Sequence, residues 1–251
     1  MPSTVERFSD RVENYVKYRP AYPPEILDAF RDEMNLQIDS IVADIGAGTG
    51  ISAKMFLENG NEVFAVEPNR AMREAAKEFL KDHPKLTFVD GTSENTNLET
   101  DSVDFVVAAQ AFHWFKIEET RAEFKRILKG QRHVVLIWNE RKLNATAFLR
   151  EYEDFLHTYA TDYNVVRHEN TSVEIISEFF QGDFKQKTFQ NLQVFDYAGL
   201  EGRLLSSSYT PTAENARFPA MIEELKRLFT KHEKDGRIDF QYDTNIYYGQ
   251  L

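Results

Sequence analysis

A chain of 251 residues is long enough for one large α/β domain, or for two small ones, with a sizeable core in either case. Its 30 Lys and Arg against 41 Asp and Glu leave a formal charge of -11, which repels nucleic-acid phosphates and anionic membrane surfaces alike, so neither is expected as a partner. No cysteine occurs, which excludes disulfides, thiolate metal sites and a cysteine nucleophile together, and no metal site is expected.

The opening "MPSTVERFSDRVENY" is polar and charged, and no later run approaches the ~20 apolar residues of a membrane span, so a cytoplasmic location is expected. Asn144 and Asn170 match the glycosylation pattern only by chance on that view. Two short helices are predicted next, one ending before Pro20 and one beginning at Pro23 and Pro24, where proline suits the first helical turn. From about residue 41 short runs rich in Val, Ile and Phe read as strands: 40–45, 61–67, 86–90, 103–110 and 132–139. Between them "ISAKMFLENG", "NRAMREAAKEFLKDH" and "IEETRAEFKRILKG" carry apolar residues at helical spacing. Strand and helix in alternation imply a parallel sheet covered on both faces.

Beyond 140 come a long helical stretch (145–163), a β-like run (184–197), an amphipathic helix (213–236) and a last alternating strand (237–249) with no helix after it. "LLSSSYTP" (Leu204 to Pro211) reads as a loop from its Ser and Pro content, with a helix end near the cleft as the alternative. The expected fold is Rossmann-like α/β: a doubly wound, mostly parallel seven-stranded sheet with an antiparallel C-terminal strand and a helical N-terminal cap. No Gly, Ser or Pro linker and no repeat interrupts the chain, so one domain is expected over 1–251: a cap (1–38), a cofactor-binding core (39–140) and a substrate-side elaboration with the closing strands (141–251).

The first strand runs into "VADIGAGTG", residues 42–50. Strand, Gly-x-Gly-x-Gly, helix lets a ligand lie against bare backbone at a helix N-terminus, with Gly46, Ala47 and Gly48 closest. A dinucleotide fingerprint would need a small residue where Ile51 stands. Asp44, just ahead of the loop, is a poor neighbour for pyrophosphate and a better one for an ammonium group or a water cluster.

These residues resemble the first motif of the class I S-adenosylmethionine (SAM)-dependent methyltransferases, and the features that follow fall in the order of that family. The resemblance implies SAM as cofactor and a Rossmann-like fold. It makes Glu67, ending the second strand beside Pro68, the acid that accepts from both ribose hydroxyls. Where the family has Gly-Asp-Ala after the third strand, this chain has Gly91-Thr92-Ser93, so Thr92 or Ser93 takes the adenine contact, ahead of Glu94. The "AFHWF" segment, the N-terminal "YVKYRPAYP" and the closing "YYGQL" are similar to a small-molecule branch related to trans-aconitate methyltransferase.

Open parallel sheets bind ligands beyond the carboxyl ends of their strands, so Gln110, Ala111, Phe112, His113 and Trp114 are expected to line the cleft, Gln110 on the cofactor side. Tyr15, Tyr18, Arg19 and Tyr22 gather aromatic hydroxyls about one guanidinium; Tyr18 and Arg19 are assigned to the cofactor, with Arg19 pairing its carboxylate ahead of a substrate's, and Tyr15 and Tyr22 to the acceptor. His113, placed with Phe112 and Trp114 on the acceptor side, is the one histidine nominated as a base, needed only if the acceptor must lose a proton. His83, His133, His157, His168 and His232 are expected to be structural or surface residues. The expected activity is methyl transfer from SAM to oxygen or nitrogen of a small molecule, a carboxylate among the candidates. An NAD(P)-dependent oxidoreductase, opposed by Ile51, and a catalytically silent protein that binds SAM or S-adenosylhomocysteine (SAH) are the alternatives.

Overall fold

The computed structural model describes residues 12–81, 83–161, 163 and 173–251; His168 and Asn170 therefore lie outside the described residues. Helices α1 (Val12–Tyr18) and α2 (Glu25–Met34) come first. In α2 the apolar Ile26, Ala29, Phe30 and Met34 recur at three- and four-residue intervals, so one stripe is buried, and Asn35 ends the helix in the left-handed conformation (φ 58°) that asparagine tolerates.

Strands β1 (Ile41–Ile45), β2 (Glu62–Val66), β3 (Leu86–Val89), β4 (Val103–Ala109) and β5 (Leu128–Arg141) run parallel. Helices α3 (Ile51–Glu58), α4 (Arg70–Leu80) and α5 (Ile117–Ile127) link them. Then follow α6 (Ala147–Tyr159), α7 (Val173–Phe180), β6 (Lys185–Phe195), α8 (Tyr197–Leu205), α9 (Phe218–His232) and β7 (Ile238–Gln250). The seven-stranded sheet has the order β3-β2-β1-β4-β5-β7-β6, with β7 antiparallel to both neighbours. The direction of winding reverses between β1 and β4, where open sheets of this type hold their ligands.

Every side chain of β4 is buried, as a strand covered on both faces requires. Phe105, Val107 and Ala109 pack with α2 and α3, whereas Val106 and Ala108 pack with Phe124 of α5 and Phe179 of α7. A third core joins α6, α8 and α9 to Ile238, Phe240 and Tyr242 of β7. That core stands over the carboxyl end of the sheet because β6 and β7 continue pairing past the last residue of β5 that pairs with β7, Arg141.

Two local expectations change. Gly130 (φ 58°) lies inside β5 instead of closing α5, which stops at Ile127. Leu204 and Leu205 end α8, a helix the sequence hides behind Gly199 and Gly202. Packing overrides the poor helix propensity of glycine here: a Cβ at Gly202 would stand 2.1 Å from the Tyr18 ring. Among the described residues, no helix is long and apolar enough to cross a membrane. His133 stacks on Phe105 (6.1 Å between ring centres), and His157 and His232 lie beside Glu153 and Glu151.

Candidate cofactor and acceptor site

The glycine loop is held by its neighbour strand. Gly46 and Ala47 both donate to the carbonyl of Val66 (2.8 and 3.1 Å), and Gly50 donates to Ala47 O (2.9 Å), starting α3. All three glycines have positive φ: 71° at Gly46, 58° at Gly48 and 85° at Gly50. What each makes room for differs. A Cβ at Gly46 would meet Ala111 Cβ at 2.6 Å, and one at Gly50 would meet Leu80 Cδ1 at 2.6 Å, so these two admit the protein's own side chains. A Cβ at Gly48 would find only Gly46 O, at 3.9 Å, and would project into open space. The sequence treats the three glycines alike; of them only Gly48 leaves a face bare for a ligand.

That face belongs to a cavity of about 650 Å3, within the range of small-molecule sites. Glu67 lies in its wall, 9% exposed, and accepts from Gly48 N at Oε2 (2.9 Å) and from Asn69 N at Oε1 (2.8 Å). These bonds aim the carboxylate while leaving each oxygen a second lone pair. Burial raises its pKa against those two amides. Asp44 is fully buried behind the loop; Ser52 Oγ donates to its Oδ2 (2.6 Å), while Oδ1 has no partner among the described residues. Burial pushes the Asp44 carboxyl up to about 7.

Gln110 ends β4 in a left-handed conformation (φ 58°) that costs about 1–3 kcal/mol for a residue other than glycine. Its Nε2 donates to Asn139 O (3.2 Å), and its Oε1 is buried without a partner among the described residues. Thr92, Ser93 and Pro68 also border the cavity; Ser93 is buried and accepts from Thr120 Oγ1 (3.0 Å), whereas Thr92 is exposed.

Tyr15 and Arg19, four residues apart on one turn (Arg19 N to Tyr15 O, 3.2 Å), enter the wall together, with the guanidinium 4.7 Å from the Tyr15 ring centre. Tyr22 joins them. Tyr18, expected to hold cofactor, does not line the cavity: one position before Arg19, it falls on another side of the turn and packs on Gly202 in the third core.

A similar correction applies after β4. Phe112–Trp114 forms a single 3-10 turn, in which successive side chains diverge by about 120°, so the three residues cannot share one cleft. Gln110, Ala111 and Trp114 border the cavity; Phe112 and His113 do not. Phe112 is 1% exposed and packs edge-on to Phe179 and Trp138. His113 lies against Trp114 (4.6 Å between ring centres), and burial lowers its pKa to about 4.

The far wall consists of residues that sequence reasoning did not nominate: Asn139 and Arg141 from β5, Tyr163, Arg203 from α8, Tyr209 and Tyr242 from β7. Arg141 is paired with Glu153 and donates to Tyr163 OH (2.9 Å). Arg203, 8% exposed, donates from Nε to Tyr242 OH (3.1 Å) and from Nη1 to Ser207 Oγ (3.0 Å). One signal was visible: Arg203 is the lone cation within the otherwise apolar "GRLL" of a segment that gave no helical pattern.

Comparison with known proteins agrees with this architecture. A methyltransferase domain family matches residues 43–136, from β1 into β5. An uncharacterized methyltransferase of Schizosaccharomyces pombe is 26% identical over 96% of this chain and 95% of its own length. An uncharacterized methyltransferase of Mycobacterium tuberculosis is 34% identical, across 53% of this chain and 52% of that protein. In fold, the solved structure of a putative type II methyltransferase from Anaeromyxobacter dehalogenans matches with a TM-score of 0.72, at 19% identity, over 93% of this chain and 98% of that one.

Proposed function

We propose that this chain, which belongs to the class I SAM-dependent methyltransferases, transfers a methyl group to oxygen or nitrogen of a small molecule held in the 650 Å3 cavity. One observation carries the placement of the cofactor. The bare face of Gly48 and the aimed carboxylate of Glu67 are joined by a 2.9 Å hydrogen bond, so a nucleoside laid on the loop meets an acceptor for its ribose hydroxyls. The unpartnered Oδ1 of Asp44 and Oε1 of Gln110 supply further acceptors, Thr92 and Ser93 border the adenine side beyond Pro68, and Arg19 is the cation for the cofactor's carboxylate. We read residues 1–251 as one methyltransferase domain on this basis.

When bound, SAM supplies a methyl group already activated on a sulfonium. The work of the protein is then to orient the acceptor and exclude water, effects worth up to about 7–11 kcal/mol in well-aligned systems. Trp114 and the Tyr15–Arg19 turn, which both line the cavity, are the groups available for that enclosure. The earlier role of His113 as base is withdrawn: it is absent from the wall, and no histidine is among the described residues that line it. An acceptor that arrives already nucleophilic suits such a wall.

Titration calorimetry with SAM and SAH tests the reading, together with transfer of radiolabelled methyl to a small-molecule extract. Saturable binding of both, with NAD(P) silent, is expected. Heat from NAD(P) alone would refute it, and SAH binding with no methylated product over a broad acceptor panel would leave only a binding protein.

A further inference from the structure

The cavity is lined by carboxylates as well as guanidiniums: Glu67, Glu140 and Glu94, the last of which pairs with Lys116. Three guanidiniums reach it, from Arg19, Arg141 and Arg203. Arg141 is ion-paired with Glu153. Arg203 makes its hydrogen bonds to hydroxyls alone, those of Tyr242, Ser207 and Ser206 (3.1, 3.0 and 3.5 Å), and its Nη2 has no protein acceptor among the described residues. Arg19 gives one bond, from Nη2 to the carbonyl of Ser206 (2.9 Å), and its buried Nε is unpartnered among the described residues. Neither meets a carboxylate among the described residues. Glu67, the aimed acid of the wall, already accepts from two backbone amides.

Two uncompensated cations at such depth are costly unless a ligand supplies the counter-charge. They also repel each other: the pKa of Arg19 is lowered by burial and then by Arg203, whereas that of Arg203, opposed by burial, is raised by the phenols of Tyr242, Tyr209 and Tyr152. SAM brings one carboxylate, which neutralises one of the two. On the proposed function, Arg19 takes it. A second anion is still called for, and a guanidinium with a free edge, fixed through Nε and Nη1 by hydroxyls that cannot cancel its charge, is suited to a flat or tetrahedral oxyanion.

We propose that the methyl acceptor carries an acid group, carboxylate or phosphate, and that Arg203, held in place by Tyr242 and Ser207, is the residue that selects it. The inference rests on the methyltransferase reading, because it assigns the cofactor's own carboxylate to Arg19. Arg203 is a binding residue for the acceptor and takes no proton.

The test is calorimetry on SAH-saturated full-length protein with five probes: succinate, phenylacetate, their amides succinamide and phenylacetamide, and inorganic phosphate. At least one acid probe is expected to bind about tenfold or more tighter than the amides, as a desolvated charge pair implies. Phosphate against the carboxylates distinguishes the two acid sources. In R203M that preference is expected to fall to about threefold or less, in R203K to survive in part, and SAH affinity to stay within about threefold in both. Amides binding as well as acids in the wild type, or no acid binding at all, overturns the proposal, and these arms need no variant. Loss of SAH binding in R203M also overturns it, since Arg203 would then serve the cofactor. SAH failing to bind the wild type would instead sink the methyltransferase reading itself.

Discussion

The two walls of the cavity are built in opposite ways. The wall proposed for the cofactor's loop and ribose is local in sequence: Gly48, Ser52 and Glu67 line it from the loop after β1, α3 and the end of β2, with Asp44 of β1 buried behind, all within one strand–helix–strand unit. The acceptor wall is gathered from the whole chain. Asn139 bonds Ala21 O across 118 positions, and Arg203 bonds Tyr242 across 39. Backbone carries the first wall, through glycine φ angles and amide donors, whereas side chains carry the second, through guanidiniums and phenols. A wall made of backbone tolerates little change in its few residues, while a wall of distant side chains can be retuned one residue at a time without disturbing cofactor binding.

Four experiments would break or sharpen that contrast. The largest effect is expected at Gly48→Val, which fills the bare face and is strained at φ 58°: SAH affinity should fall about 100-fold or more, beyond what the accompanying loss of melting temperature from that strain accounts for. Unchanged affinity in a calorimeter would remove the ligand from the loop.

Next is the pH dependence of cofactor-free protein. Asp44 has its folded pKa raised to about 7, so between about pH 4 and pH 7 the native state holds a proton that the unfolded chain releases. Stability should therefore fall as pH rises through that window and level off above about 7, by about 4 kcal/mol in all. Asp44→Asn should flatten that segment in urea melts across pH, and an identical slope in the variant would show that Asp44 does not titrate this way.

Tyr242→Phe is smaller and confined to the other wall. It removes the oxygen that accepts from Arg203 Nε and donates to Gln193 Oε1 (2.8 Å), so binding of the preferred acid probe should weaken roughly fivefold, near 1 kcal/mol, with SAH unaffected. Equal losses for both ligands would mean that the walls are coupled. The smallest effect is expected from His113→Gln: less than about twofold in methyl-transfer rate and no change in its pH profile, because the imidazole lies outside the wall. A lost basic limb in that profile would restore His113 as a base.

How much was legible follows the same division. The parallel core announced itself through short Val- and Ile-rich runs alternating with helical spacing, and the glycine loop stood out because its chemistry is written in consecutive residues, whereas Glu67 was reached through the family resemblance. The closing antiparallel strand was visible from alternation in "RIDFQYDTNIYYG" with no helix after it. Tyr18 and His113 misled because neighbours in sequence were taken as neighbours in space. Successive residues of a helical turn point about 100° apart, which turns Tyr18 away from Arg19, and a 3-10 turn fans Phe112, His113 and Trp114 apart.

Sequence by itself determined the layered α/β architecture, the direction of β7 and the position of the glycine loop, because periodicity and glycine act within a few residues of where they are written. Only the tertiary structure decided which glycine faces a ligand, and that Arg19 and Arg203 share a cavity without a carboxylate between them. Burial and charge compensation are sums over residues brought together from opposite ends of the chain, and no local pattern encodes such a sum.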